Sequence, residues 1–212
     1  MNQSSDQEKR TFTDLLRFYF KGVLDAIARI LNRLGIKPMY ITAFGLIGNL
    51  AAGILIAFGF LFWGGLLAMI IWPLDALDGT LARLRNESSK YGSFVDSVTD
   101  RYSEIAIFGG LLVYSIRAND RLNIILVFLA VVGGLLVSYM RAKAESLDYS
   151  SKVGLLTRAE RYIILIPGLL LNLPKIALWI LAILSHFTAL QRFWHVRKQA
   201  MKEMEKNFHR GE

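Results

Sequence analysis

Apolar residues in this chain gather into long runs, and short charged segments separate the runs. A helix of about 20 apolar residues crosses the hydrocarbon core of a bilayer. The fifth run reaches that length only if its helix begins near Thr157. The runs predict an all-α membrane protein with six transmembrane helices, at about 41–60, 62–84, 92–116, 122–143, 162–173 and 175–196.

A different pattern precedes the first run. From Phe12 to Leu34 apolar residues recur at helical spacing and basic residues lie off that stripe, until Gly35 and Pro38 stop the helix. This pattern predicts an N-terminal amphipathic helix in the membrane interface, with packing against a soluble partner as the alternative. The expected organisation is a polar N-terminus and interfacial helix (1–40, with 1–10 disordered), a transmembrane domain (41–197) and a basic cytoplasmic tail (198–212).

Composition and charge support this assignment. The chain is 54% hydrophobic with a mean hydropathy of +0.39 and a net charge of +8. Of the 25 Lys and Arg residues, 22 fall on one side of the predicted membrane, and the other side has Arg117, Arg121 and Lys175. The positive-inside rule then places both termini in the cytoplasm, with the basic residues facing anionic membrane lipids rather than nucleic acid. Because the chain has no cysteine, disulfides and thiolate metal sites are excluded.

Two predicted spans carry carboxylates, which are costly inside a bilayer and usually functional there. Asp75 and Asp78 are three residues apart, and Asp96 and Asp100 are four apart, so each pair shares a helical face. Four converging carboxylates need Lys, Arg or divalent metal to offset their repulsion. Their hard oxygen ligands favour Mg²⁺ or Mn²⁺ over zinc.

Small residues and one cation accompany the aspartates. Gly79 follows Asp78, Ala82 lies one turn after it, and Gly92 lies one turn before Asp96. Missing side chains at these positions leave room for a bulky phosphate ester. The full pattern is Asp75-x2-Asp78-Gly79-x2-Ala82-Arg83-x8-Gly92-x3-Asp96-x3-Asp100.

In all eight fixed positions and in their spacing, this pattern resembles the signature motif of the CDP-alcohol phosphotransferase family. The resemblance implies an interfacial helix, six spans and a homodimer, and the charge asymmetry places the aspartates on the cytoplasmic side. The resemblance also implies a reaction in which an alcohol attacks the lipid-side phosphorus of a CDP-linked lipid and CMP leaves. In that reaction Asp75, Asp78 and Asp96 would be shared ligands of two Mg²⁺ or Mn²⁺ ions. Asp100 would complete the second site and take the proton of the attacking hydroxyl. The CDP-lipid donor would contact Pro38, Met39, Tyr40, Ile41, Asp75, Gly79, Ala82, Arg83, Ser89 and Gly92.

The acceptor should be determined by the second half of the chain. Arg141, Arg161 and Arg192 are predicted at cytoplasmic helix ends, where they would bind a dianionic phosphate on the acceptor. Their segments resemble those of the family's phosphatidylinositol phosphate synthases, including the Arg-x-Glu-Arg element at 158–161, although Arg141 stands where lysine is usual. This implies inositol phosphate as acceptor, with glycerol 3-phosphate as the alternative. The alternative is that these arginines bind no acceptor and only extend their charged ends to the lipid head groups.

Two other classes stay open, namely a membrane prenyltransferase and a non-enzymatic carrier or metal transporter. A prenyltransferase typically has more spans and lacks the Ala-Arg and Gly spacing seen here, whereas a transporter predicts metal flux without CMP. Two further expectations concern single residues. Glu104 should pair with a basic residue rather than bind metal, and Pro73 should bend the second span.

Overall fold

The computed structural model describes the backbone of residues 12–151 and 153–208, and the side chains of 22–151 and 153–206. The predicted disorder of residues 1–10 lies outside these ranges. The described chain is all-helical. Its helices are α1 (Phe12–Arg33), α2 (Pro38–Ala57), α3 (Leu61–Ile71), α4 (Leu74–Leu84), α5 (Lys90–Arg117), α6 (Arg121–Glu145), α7 (Arg158–Leu170) and α8 (Pro174–Phe208).

Four segments of the described chain are long and apolar enough to cross a membrane. They are Pro38–Ala57, Leu61–Leu84, Arg121–Glu145 and Pro174–Lys206. The other two predicted spans correspond to α5, which carries Asp96, Asp100 and Glu104, and to α7, which has only 13 residues. The all-α membrane architecture is therefore confirmed. The full count of six spans stays a prediction.

Pro73 interrupts the second apolar run, as the sequence predicts. Helix α3 ends at Ile71, Pro73 is the N-cap of the next helix, and α4 begins at Leu74. A proline inside a helix removes one backbone hydrogen bond and clashes with the preceding turn. Because of this break, the short helix that carries Asp75 and Asp78 begins as a helix of its own.

Glycines bring the longer helices into close pairs. A Cβ on Gly110 would lie 2.1 Å from the carbonyl oxygen of Gly53, so the backbones of α5 and α2 touch there. A Cβ on Gly133 would lie 2.7 Å from Cβ of Ser185, which brings α6 against α8. These glycines therefore allow close contacts between helices of one chain. The apolar core lies between α2, α3, α5, α6, α7 and α8.

Helix α1 lies against α4. Leu24, Ala28 and Leu31 pack with Leu77 and Leu81 of α4 in a second apolar cluster. The neighbouring face of α1 exposes Val23, Ile27 and Ile30, and Leu34 just after the helix is exposed as well. An amphipathic helix with one packed and one exposed apolar face agrees with the predicted pattern, and its location in the membrane interface stays a prediction.

The segment before α7 is folded onto α8. The Leu156 backbone N–H donates to Thr188 Oγ1 at 3.1 Å. Gly154 has a φ of +128°, and a Cβ there would lie 2.5 Å from Thr188 Cγ2, so the position requires glycine. Thr157 is the N-cap of α7, so that helix starts where the sequence predicts. Helix α8 continues to Phe208, and no break marks the predicted boundary at 198.

Candidate active site

The four aspartates come together where α4 and α5 face each other. Asp75 and Asp78 lie on α4, and Asp96 and Asp100 lie on α5. Asp96 repels Asp75, Asp78 and Asp100 electrostatically, and Asp75 repels Asp100. The spacing that suggested two shared helical faces therefore corresponds to one acidic cluster in space.

Asp78 is held by partners from two helices. Thr42 Oγ1 of α2 donates to Asp78 Oδ2 at 2.6 Å, and the Gly79 backbone N–H donates to Oδ1 at 2.5 Å. Sequence reasoning did not assign Thr42, although it directly follows the segment Pro38–Ile41 that was singled out. Its hydroxyl fixes the orientation of a buried carboxylate.

Arg158 bridges the two aspartate helices. Its Nη1 donates to Asp75 Oδ2 at 2.6 Å and also to Asp100 Oδ1. The guanidinium lies 5.4 Å from the ring centre of Tyr162, and that ring stacks on Trp72 at 6.0 Å. Sequence reasoning missed this role, although Arg158 is the first residue of the Arg-x-Glu-Arg element. The site therefore contains a cation anchored on α7.

The donor chemistry of the cluster fits a hard divalent cation. All four side chains offer carboxylate oxygens, and a cationic guanidinium already bridges two of them. In the ranges that the structure describes, no three His, Cys, Asp or Glu side chains are arranged closely enough to hold one metal ion. It is the residue types that suit Mg²⁺ or Mn²⁺, and the metal roles of Asp75, Asp78, Asp96 and Asp100 stay a prediction.

The residues predicted for the nucleotide surround the start of α5 and the face of α4. Ser89 caps α5 by accepting from the Gly92 N–H at 3.0 Å, and a Cβ on Gly92 would lie 3.2 Å from Ser89 Oγ. Arg83 Nη2 donates to Thr80 Oγ1 at 3.1 Å. Ala82 precedes Arg83 on the same helix. These contacts give Ser89 and Gly92 a local structural role that does not depend on a ligand.

The predicted segment at the start of α2 divides into two parts. Pro38 begins the helix, and the side chains of Met39 and Tyr40 are exposed beside it. Ile41 is instead buried in the apolar cluster between α1 and α4. Of this segment, Met39 and Tyr40 have the side chains that a ligand could reach.

The predicted acceptor arginines lie on three helices, and two of them have a carboxylate partner. Arg161 of α7 donates from Nε and Nη2 to the two oxygens of Glu104, at 2.5 and 2.8 Å. Glu104 therefore pairs with a basic residue, as predicted. Arg141 of α6 is exposed and pairs with Glu145 at 2.8 Å.

The third arginine is held by backbone carbonyls. Arg192 of α8 is buried, and it donates from Nε to Val153 O at 3.0 Å and from Nη1 to Val137 O. Its positive charge is repelled by both Arg141 and Arg161. Arg192 therefore connects the three guanidinium groups into one basic region. Whether they bind an acceptor stays a prediction.

Fold and site together define an integral membrane enzyme with an acidic cluster beside a basic region. The family model for CDP-alcohol phosphatidyltransferase matches residues 36–191. This match covers the acidic cluster and most of the basic region, and the chain belongs to that family.

Two curated relatives resemble the chain over most of their length. The phosphatidylinositol phosphate synthase of Streptomyces avermitilis is 35% identical, over 87% of this chain and 82% of the relative. The archaetidylinositol phosphate synthase of Pyrococcus horikoshii is 35% identical, over 84% of this chain and 93% of the relative.

Solved structures of the Mycobacterium tuberculosis phosphatidylinositol phosphate synthase share the fold. One with CDP-DAG bound has a TM-score of 0.77 at 30% identity, covering 82% of this chain and 93% of that one. Another, in complex with manganese and citrate, has a TM-score of 0.76 at 30% identity, covering 82% of this chain and 88% of that one. At this identity the match supports both the fold and the membership of the family.

Proposed function

We propose that the chain transfers a phosphatidyl group from CDP-diacylglycerol to a hydroxyl of inositol phosphate, forming phosphatidylinositol phosphate and releasing CMP. The observation that carries this proposal is the basic region of Arg141, Arg161 and Arg192, in which Arg161 pairs with Glu104 one helical turn after Asp100. Such a region suits a phosphate on the acceptor. The names of the relatives from Streptomyces and Mycobacterium support inositol phosphate, and the bound CDP-DAG in a related structure supports the donor.

The acidic cluster forms the donor side. Asp75, Asp78 and Asp96 would hold two Mg²⁺ or Mn²⁺ ions, with Asp100 as a further ligand of the second. When bound, the ions supply positive charge against the diphosphate and the leaving CMP. The manganese in a related structure supports this assignment. Thr42 keeps Asp78 oriented through its 2.6 Å hydrogen bond.

The donor's nucleotide would lie along α4 and the start of α5. On α4, Gly79 has no side chain and Ala82 has only a methyl group, which lets a diphosphate approach the carboxylates. Arg83 lies one turn after Gly79 and offers a guanidinium. Met39 and Tyr40, with Pro38, Ile41, Ser89 and Gly92, would complete the donor site.

Asp100 would take the proton from the attacking hydroxyl. A new bond forms between that oxygen and the lipid-side phosphorus, and the bond from this phosphorus to the oxygen of CMP breaks. Arg158 donates to Oδ1 of Asp100, and Arg101 Nη1 lies 3.7 Å from Oδ2. These contacts fix the carboxylate, and proton transfer by a base depends on such positioning.

Glycerol 3-phosphate is the second candidate acceptor. It carries the same phosphate, which the basic region would also suit. Arg141 favours this alternative, because it stands where lysine is usual in the phosphatidylinositol phosphate synthases that the chain resembles. Its exposed position and its pairing with Glu145 leave it the least constrained of the three arginines.

We also propose how the chain lies in the membrane. Helices α2, α3 with α4, α5, α6, α7 and α8 make six spans, and α1 lies in the interface with Val23, Ile27, Ile30 and Leu34 toward the lipid. The positive-inside rule places both termini and the site at the cytoplasmic surface of the cell membrane. The family resemblance supports a homodimer.

The acceptor can be identified with purified protein in detergent. CMP release from CDP-diacylglycerol with added Mg²⁺ or Mn²⁺ is measured with inositol 3-phosphate, and then with glycerol 3-phosphate. The proposal predicts saturable release with inositol 3-phosphate, and phosphatidylinositol phosphate as the lipid product. Turnover with glycerol 3-phosphate alone would establish the alternative. Metal flux into vesicles without CMP formation would indicate a transporter.

A further inference from the structure

The ion pair of Glu104 and Arg161 is the most deeply buried one that the structure describes. Their exposed fractions are 7% and 2%. Arg161 uses Nε and Nη2 to bind both oxygens of Glu104, which is the forked geometry that arginine and carboxylate favour. Both oxygens of Glu104 are therefore directed at Arg161.

The packing around this pair leaves little room for movement. A Cβ on Gly134 of α6 would lie 3.1 Å from Glu104 Oε1 and 3.3 Å from Arg161 Nε. Gly134 therefore lets α6 close over the pair. A buried charge that loses its partner is strongly destabilising, so Glu104 and Arg161 depend on each other.

One nitrogen of Arg161 is not used by Glu104. Nη1 is buried and has no hydrogen-bond partner within the described residues. Buried donors of this kind usually have a partner, so an unpaired one on a guanidinium can mark a place for a ligand. Arg161 also repels Arg192, and an anion between their guanidinium groups would offset that repulsion.

We propose that Glu104 is a positioning residue for the acceptor: it fixes Arg161 through Nε and Nη2 so that Nη1 is presented to the acceptor phosphate. Glu104 lies one helical turn after Asp100 on α5. The helix that carries the proposed base therefore also sets the guanidinium that binds the acceptor. This inference rests on the proposed function, since it requires a phosphorylated acceptor.

The proposal separates binding of the acceptor from chemistry. Glu104→Gln keeps the shape but removes the charge that holds the fork. Arg161 is then held less firmly in the orientation that binds the phosphate, and the KM for inositol 3-phosphate rises about tenfold, as expected for one charge-assisted hydrogen bond. The KM for CDP-diacylglycerol and the kcat stay within about twofold, since the aspartates are intact.

A double-mutant cycle provides the test. CMP release is measured for the wild type, Glu104→Gln, Arg161→Gln and the double variant, together with their Tm values. If Glu104 acts only through Arg161, the double variant has the acceptor KM of Arg161→Gln alone. Its Tm should lie above that of Glu104→Gln, because it buries no unpaired charge. Calorimetric titration with inositol 3-phosphate, without donor, compares the same four proteins without turnover.

Two results would overturn this inference. One is an unchanged acceptor KM in Glu104→Gln despite a lower Tm, which would make the pair purely structural. The other is a further rise in KM when Glu104→Gln is added to Arg161→Gln. A wild type that turns over only glycerol 3-phosphate would refute the inositol phosphate proposal instead, and the cycle would then be measured with that acceptor. A wild type that neither binds nor uses a phosphorylated acceptor would refute both.

Discussion

The donor half of the site lies within residues 75–100, on two helices that are adjacent in the sequence, whereas the acceptor half draws on three helices across residues 141–192. The aspartates repel one another, and Arg158 reaches in from α7 to bridge two of them. The arginines also repel one another, and Glu104, Glu145 and backbone carbonyls hold them. Each half thus depends on a residue of opposite charge from a distant part of the chain. The two halves should respond differently when they are perturbed.

Metal removal should have the largest effect, and it should act through the donor half alone. Chelation with EDTA is expected to reduce CMP release to background, because Arg158 alone would then offset the charge of four carboxylates and of the donor diphosphate. Added Mg²⁺ or Mn²⁺ should restore activity. Inositol 3-phosphate should still bind in calorimetry, since the arginines need no metal. Full activity in EDTA would refute the metal assignment.

Asp100→Asn comes next. Loss of a general base typically costs about 10²- to 10⁴-fold in rate. The rate of CMP release should fall by about 10²- to 10⁴-fold, and the Tm should change little. Asp148→Asn serves as a matched control, because Asp148 is exposed in the loop after α6. A variant of Asp100 with full transferase activity would contradict the mechanism.

The acceptor arginines should affect KM rather than kcat. Replacing Arg192 by Gln is expected to raise the KM for inositol 3-phosphate about tenfold or more, because a buried charged donor is lost. Arg141→Gln should have a smaller effect, since Arg141 is exposed and paired with Glu145. Initial rates at varied acceptor and fixed donor measure both. An equal rise in the donor KM would show that the two halves are not separate.

Arg158→Gln should change the response of stability to metal. Without the guanidinium the carboxylates repel more strongly, so the Tm in EDTA should fall. The gain in Tm on adding Mn²⁺ should then exceed that of the wild type, because the ion no longer competes with a fixed cation. Differential scanning fluorimetry in EDTA and in Mn²⁺ gives both values. A smaller gain than in the wild type would mean that Arg158 assembles the metal ligands.

The smallest effect is expected at the opposite end of the bundle. Asp120 accepts from the Asn123 N–H at 3.1 Å and pairs with Lys175 at 3.0 Å, and these contacts hold the pKa of Asp120 below its usual value. A lowered pKa means that this stabilisation is present at neutral pH and is lost as the pH falls through that value. Asp120→Asn should lower the Tm by a few degrees at most, without changing CMP release. A marked loss of activity would connect this turn to the site.

The sequence predicted the donor half more completely than the acceptor half for a physical reason. Asp75, Asp78, Asp96 and Asp100 are related by helical periodicity, and Pro73 and Gly35 mark breaks by their backbone chemistry. The bonds from Arg158 to Asp100 and from Arg161 to Glu104 join residues 58 and 57 positions apart. Spacing within one helix cannot reveal such pairs.

Packing also determined roles that composition left open. Gly110 and Gly133 bring helices of one chain together, at α2 with α5 and at α6 with α8. Ile41 belongs to a predicted ligand segment, yet its side chain packs into the cluster under α1. Thr42, the next residue, holds Asp78 instead. Which side of a helix faces a partner depends on tertiary contacts that a single sequence does not contain.

The division between the two halves can be tested directly by comparing inositol 3-phosphate with unphosphorylated inositol in one preparation. The measurement is kcat/KM for CMP release at saturating CDP-diacylglycerol and metal. If Arg141, Arg161 and Arg192 recognise the acceptor phosphate, inositol 3-phosphate should be preferred by about a hundredfold or more. Equal use of the two acceptors would contradict this account, because the basic region would then have no part in acceptor recognition.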